Sequence, residues 1–211
     1  EVVDATAFGY TGQAFRISNA VTSGAFGNQT FAVPLVDSVG ETVATAGAYS
    51  TGSKQNHFEV QFDIASASTT EQPGLIISVS PDRGDGSRMS FLRFEDSAGG
   101  INVNFFDVQS TGSPANFVPT MIATGLSHGG VHTVKLTFDA LEGPSNDVVR
   151  VYIDGSLVHT GTSWENYFRY DTEASAEQTP RIIKTLLIRA GGTAAPATAG
   201  EGFLFDHLSM T

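Results

Sequence analysis

The stretch 133–161 constrains this chain more than any other. Val134, Leu136 and Phe138 alternate with Thr133, Lys135 and Thr137, and Val149, Val151 and Ile153 alternate with Val148, Arg150 and Tyr152. Side chains on a strand point to opposite faces in turn, so each run has one face to bury and one to show. Asp154-Gly155 then offers the two positive-φ positions of a type I′ hairpin, which pairs the second run with a third ending at Gly161.

Similar runs recur at 15–21, 29–33, 57–64, 75–79, 89–95, 101–106, 121–124, 182–189 and 202–210. The clearest is Phe58, Val60, Phe62 and Ile64, alternating with Glu59, Gln61 and Asp63. Gly-, Pro-, Ser- and Asn-rich turns separate the runs at 82–87, 97–100, 111–115, 143–147 and 191–200. Many short strands with little helical period predict an all-β chain, two antiparallel sheets packed face to face, in one domain over 1–211. One segment, 163–176, breaks the pattern. Thr162 and Glu165 have capping-box spacing, and Trp164 and Phe168 stand four apart, so the spacing predicts a short helix that Pro180 ends.

The 11 basic and 22 acidic residues give a net charge of −11. Such a surface repels phosphate backbones and anionic lipid, so no nucleic acid and no membrane is expected as partner, and a polyanionic substrate is disfavoured too. The acidity also suits divalent cations, although solvated surface charge accounts for it equally. No apolar run is long enough to span a bilayer. A charged fraction of 16% with much Gly, Ser, Thr and Ala reads as a secreted or cell-surface bacterial protein, and the missing cysteines do not contradict that.

The run "VVRVYIDGSLVHTG" followed by "GEGFLFDHLSM" at the C-terminus resembles the concanavalin A-like, laminin G-like jelly-roll superfamily. The likeness implies a jelly-roll β-sandwich with one short helix, and a module within a larger exported bacterial protein. The superfamily hosts lectins, carbohydrate-binding modules, glycoside hydrolases, polysaccharide lyases and adhesive domains, so it specifies fold and leaves chemistry to the site.

Each chemistry has its own requirement. Hydrolases of this fold carry paired carboxylates on one strand, and Glu59 and Asp63 share a face four residues apart. The family's middle acid and nearby Trp are missing, which leaves them as solvent-facing carboxylates. Lyases use Tyr with His, plus an Arg and an amide that neutralise a uronate; the Arg-x-Glu-Leu-Arg and Gln-Ile-His strands of alginate lyases are absent. Sugar binding needs an aromatic platform and a few polar groups. Trp164, Tyr167, Arg169, Tyr170 and Asp171 offer both, and Tyr152 and His159 join them on the exposed side of the hairpin. Trp164 and Phe168 read more readily as the apolar face of a helix plugging the sandwich, whereas Tyr167 and Tyr170 suit either role.

The resemblance also implies a structural Ca²⁺ held by an Asp in the last strand. Asp206 with Asp4 or Glu1 are the candidate ligands, the alternative being a carboxylate in solvent. The expectation is thus a non-catalytic carbohydrate-binding, lectin-like module for a polysaccharide or other glycan. The alternatives are a hydrolase or lyase of the same fold, and a structural or adhesive module.

Overall fold

The computed structural model describes residues 1–20, 28–42, 49–175 and 181–211; Val21, Ala176 and Pro180 of the sequence-based expectations lie outside them. In chain order the strands are β1 (Val2–Asp4), β2 (Gln13–Ile17), β3 (Gln29–Phe31), β4 (Ser38–Gly40), β5 (Lys54–Gln55), β6 (His57–Ser66), β7 (Leu75–Asp82) and β8 (Phe91–Ser97). Then come β9 (Gly100–Val108), β10 (Phe117–Leu126), β11 (His132–Asp139), β12 (Val148–Ile153) and β13 (Ser156–Gly161). Two short helices, α1 (Glu165–Tyr170) and α2 (Thr172–Ser175), precede β14 (Ile182–Ile183), β15 (Thr185–Gly192) and β16 (Phe203–Met210).

Sheet A has seven strands in the order β1-β2-β16-β6-β11-β12-β13, and sheet B has six, β10-β9-β8-β7-β15-β3. Both are antiparallel throughout, and β14, β4 and β5 form a small third sheet. The alternation drives the layering: Phe58, Val60, Phe62 and Ile64 are at most 1% exposed, as are Val134, Leu136 and Phe138. They meet Leu75, Ile77, Val79, Leu92 and Phe94 from sheet B in one core. Phe62 spans the gap, its ring edge-on to Phe94 at 6.2 Å and tilted on Phe205 at 5.7 Å.

The hairpin forms as its turn demands, with φ of 50° at Asp154 and 80° at Gly155. Its return strand departs from strict alternation. Val151 pairs with His159 but Tyr152 pairs with Leu157, so Val158 is an extra residue. A bulge of this kind turns the rest of its strand over by one position. His159 therefore points between the sheets, its ring 4.9 Å from that of Phe105, and not outward as expected.

The expected helix arrives as two pieces, and the capping box is not made. Ser163 Oγ accepts from Glu165 N–H at 2.9 Å, while the Glu165 carboxylate reaches out to the N–H groups of Asn146 and Asp147. The i, i+4 expectation holds in the backbone, where Phe168 N–H donates to Trp164 O at 3.3 Å.

Candidate functional site

The outer faces of the two sheets differ. On sheet A the side chains opposite the core pair off: Lys135 with Glu59 at 3.6 Å, Arg150 with Asp139 at 2.7 Å, and His57 with Asp139 at 2.6 Å. Asp63 accepts from the Thr133 hydroxyl at 2.6 Å and pairs with His207 at 2.8 Å. Glu59 and Asp63 are thus held in separate pairs. Four residues along a strand also set them about 13 Å apart, beyond the span a hydrolase needs.

On sheet B, Ser78 and Ser80 alternate with the core residues Ile77 and Val79 and so face outward, yet they are 8% and 0% exposed. Asn104, on the same face, is 6% exposed. Polar groups this buried on an outer face lie beneath neighbouring atoms. Register places Arg189, Ser78, Arg93 and Asn104 in one row across four strands. Beside that row Phe91 stacks on its cross-strand partner Phe106 at 4.2 Å. Arg88 lies over Phe91 at 5.3 Å and Arg93 over Phe106 at 5.4 Å. Arg93 also holds Glu95 at 2.9 Å.

Of the 11 cationic side chains, only Arg88, Lys184 and Arg189 have no ion-pair partner among the described residues. Burial, and then Arg189 close by, push the Arg88 guanidinium below its usual range. Ser80 Oγ, Asp82 Oδ2 and Arg93 Nε, all buried, make no hydrogen bond among the described residues.

An aromatic wall closes one side. Trp164, at the N-terminus of α1, sits edge-on to Phe91 at 5.6 Å and to Phe117 at 4.6 Å, and its indole N–H donates to Phe106 O at 3.0 Å. Tyr167 tilts on Phe117 at 5.3 Å. Between this wall and the turn after β7 lies a cavity of about 280 Å³, lined by Arg83, Arg88, Phe117, Trp164, Tyr167 and Glu173 among others.

The expected sugar contacts do not converge. Trp164 and Tyr167 share the cavity. Arg169 turns into a buried ion-pair cluster with Glu41 and Glu165. Asp171 caps neighbouring backbone, accepting from Ala115 and Glu173 N–H. Tyr170 is 37% exposed but lines none of this cavity. Tyr152 lies under Lys135, 4.8 Å from its ring centre, on the opposite sheet. The arginine row was missed, although Arg93 and Glu95 alternating with Leu92 and Phe94 is a legible signal for it.

The expected Ca²⁺ ligands are not neighbours. Asp4 accepts from Thr6 N–H at 2.9 Å and its hydroxyl at 2.8 Å, which holds its carboxyl below the usual range. Asp206 stands opposite Asp63 on β16, with β2 between it and the strand of Asp4. Glu1 is taken by Arg16. The one trio of carboxylates whose oxygens lie within 4.8 Å among the described residues is Glu41, Asp147 and Glu165.

No family model matches the chain, and no curated protein matches it. Solved structures do. A double variant of alginate lyase Aly36B in complex with alginate tetrasaccharide is 14% identical, with a TM-score of 0.50 over 94% of this chain and 79% of that one. Its fold is a concanavalin A-like jelly roll. An endo-β-1,4-glucuronan lyase from the fungus Trichoderma reesei is 14% identical, with a TM-score of 0.46 over 100% of this chain and 86% of that one. Sheep galectin-11 is 11% identical, with a TM-score of 0.39 over 74% of this chain and 91% of that one. Because the similar structures are mostly polysaccharide lyases, the expectation of a non-catalytic module is corrected: they fit the alternative, a lyase of the same fold, better.

Proposed function

We propose that this chain is a polysaccharide lyase that takes uronate-bearing glycans on the outer face of sheet B. The observation that carries the reading is the pair Arg88 and Arg189, near one another on that face and in no ion pair among the described residues. Two guanidiniums near one another and outside any ion pair are stabilised by an anion that both reach, and a planar carboxylate suits a guanidinium fork. The net charge of −11 does not oppose this, because charges more than about 10 Å away are screened and the local row governs.

The chemistry rests on the carboxylate. Neutralising it acidifies the hydrogen on C5 of the sugar ring, because the electron pair left there delocalises onto the bound group. A base removes that proton, the pair forms the C4=C5 double bond, the C4–O4 bond breaks, and O4 leaves with a proton. Tyr167, the phenol lining the cavity with Arg83 and Arg88, is assigned the proton transfer. Trp164 and Phe117 supply the apolar wall for a sugar face.

Incubation with polymannuronate, polyguluronate and polyglucuronate tests this, read by the ultraviolet absorbance of the unsaturated uronate end. Release of that end, abolished in Tyr167→Phe and sharply reduced in Arg88→Ala, is the expected result. Absence of unsaturated product from all three polymers overturns it.

A further inference from the structure

Beneath α1, Glu41, Asp147 and Glu165 are 1%, 4% and 0% exposed. Two guanidiniums answer the three carboxylates. Arg169 donates to Glu41, to Glu165 Oε2 at 3.1 Å and to Gly143 O at 2.7 Å; Arg181 donates to Glu41 Oε1 at 3.0 Å. Glu165 Oε1 accepts the N–H groups of Asn146 at 2.7 Å and Asp147 at 3.0 Å. Asp147 has only neutral donors, Leu141 N–H at 3.0 Å and the Ser163 hydroxyl at 2.5 Å.

Three carboxylates against two guanidiniums leave one negative charge in excess, in a place that water does not reach. One proton balances the cluster, and Asp147, alone without an arginine, is where it belongs. Burial, then the charge of Glu165, push the Asp147 carboxyl up to about 7. All six carboxylate oxygens have donors, so the cluster is closed and offers no vacant ligand to a cation.

What this cluster grips is the start of α1. Ser163 and Glu165 flank Trp164, whose backbone N–H donates to Met89 O at 2.7 Å. We propose that Glu41, Asp147 and Glu165 form a proton-operated clamp on α1. With Asp147 protonated, Trp164 and Tyr167 stand as the cavity wall. With Asp147 ionised, repulsion from Glu165 and Glu41 loosens the helix and the wall shifts. The remaining charged or titratable groups packed there do not compete. Arg169 and Arg181 are the two guanidiniums already counted, the Tyr49 hydroxyl donates to Glu41 O at 2.7 Å, and Glu142 is at the surface with Lys54 at 3.3 Å. Asp147 is a positioning residue, since it acts through α1. The clamp stands on the fold; only its effect on turnover rests on the lyase reading.

Trp164 is the single tryptophan of the chain, so whole-protein emission reports on this wall directly. In a titration of the full chain, the emission should change in one step centred near neutrality. Asp147→Asn should stay at the acid-side spectrum throughout, and Glu41→Gln, which removes one repelling charge, should move the step to lower pH. A wild-type emission that does not titrate overturns the clamp, as does a step left in place by Asp147→Asn or, should that variant not fold, by Glu41→Gln. None of these readings needs a substrate, so inactivity on every polyuronate sinks the lyase and leaves the clamp standing. If the chain is active, its kcat–pH profile should carry the same midpoint and lose it in Asp147→Asn.

Discussion

On the outer face of sheet A, Lys135 reaches Glu59 at 3.6 Å and Arg150 reaches Asp139 at 2.7 Å, each charge meeting its opposite across one strand. On the outer face of sheet B, Arg93 holds Glu95 at 2.9 Å, but Arg88 and Arg189 lie near one another and make no ion pair among the described residues. The same residue types on the same kind of strand thus make two surfaces with different needs. The first is electrostatically complete and loses little by staying in water. The second gains by taking a ligand, because an anion there relieves a repulsion that the fold itself maintains.

Four measurements probe how far that contrast reaches. Phe62→Ala removes the ring that joins both sheets, and should cost about 3–5 kcal/mol. Calorimetry should still show a single transition; a split one would mean that the faces rest on separate cores. Close behind is Asp147. Its folded carboxyl titrates at about 7 against 3.8 unfolded, so between those values the folded state keeps a proton that the unfolded state has lost. Wild-type stability should fall as pH rises through that window and level off above it. The total is on the order of 4 kcal/mol, and denaturant melts of Asp147→Asn should show no such slope.

Arg88→Ala and Arg189→Ala should each weaken polyuronate binding about 10- to 100-fold, the worth of one charge-assisted hydrogen bond. Arg150→Ala on sheet A should leave the same calorimetric titration unchanged; equal losses would erase the distinction between the faces. Smallest is Lys135→Ala, expected to shift stability by less than about 1 kcal/mol and to lose even that in high salt. Nearby on sheet A, His207 is held above its usual range by its hydrogen bond to Asp63. Its contribution is present below the unfolded pKa of 6.5 and fades as pH climbs through the raised folded value.

The layering was legible because burying one face forces a period of two, and 57–64, 133–138 and 148–153 obey it. Where that force is absent, legibility stops. The strands β1, β4 and β5 have two or three residues each, too few to show a period. Val158, one extra residue, reverses His159 without a mark in the local composition. The site was hidden for a different reason. Arg88, Arg93 and Arg189 come together because β15 returns beside β7, a pairing between distant segments that neither one announces. Arg169 and Asp171 were read as available on type alone, but the buried Glu41 and Glu165 hold the first and the backbone N–H groups of Ala115 and Glu173 hold the second.

The edge strand β10 bears on how the molecule behaves among its own kind. It holds Pro119 and two breaks in register against β9, after Met121 and after Ala123. Proline presents no donor, and the breaks spoil the even spacing that a further strand would need to zip along. The opposite edge of sheet B, β3, is only three residues long. Crowded copies of this chain therefore find poor templates at either margin for adding strands to sheet B, a safeguard against fibrils.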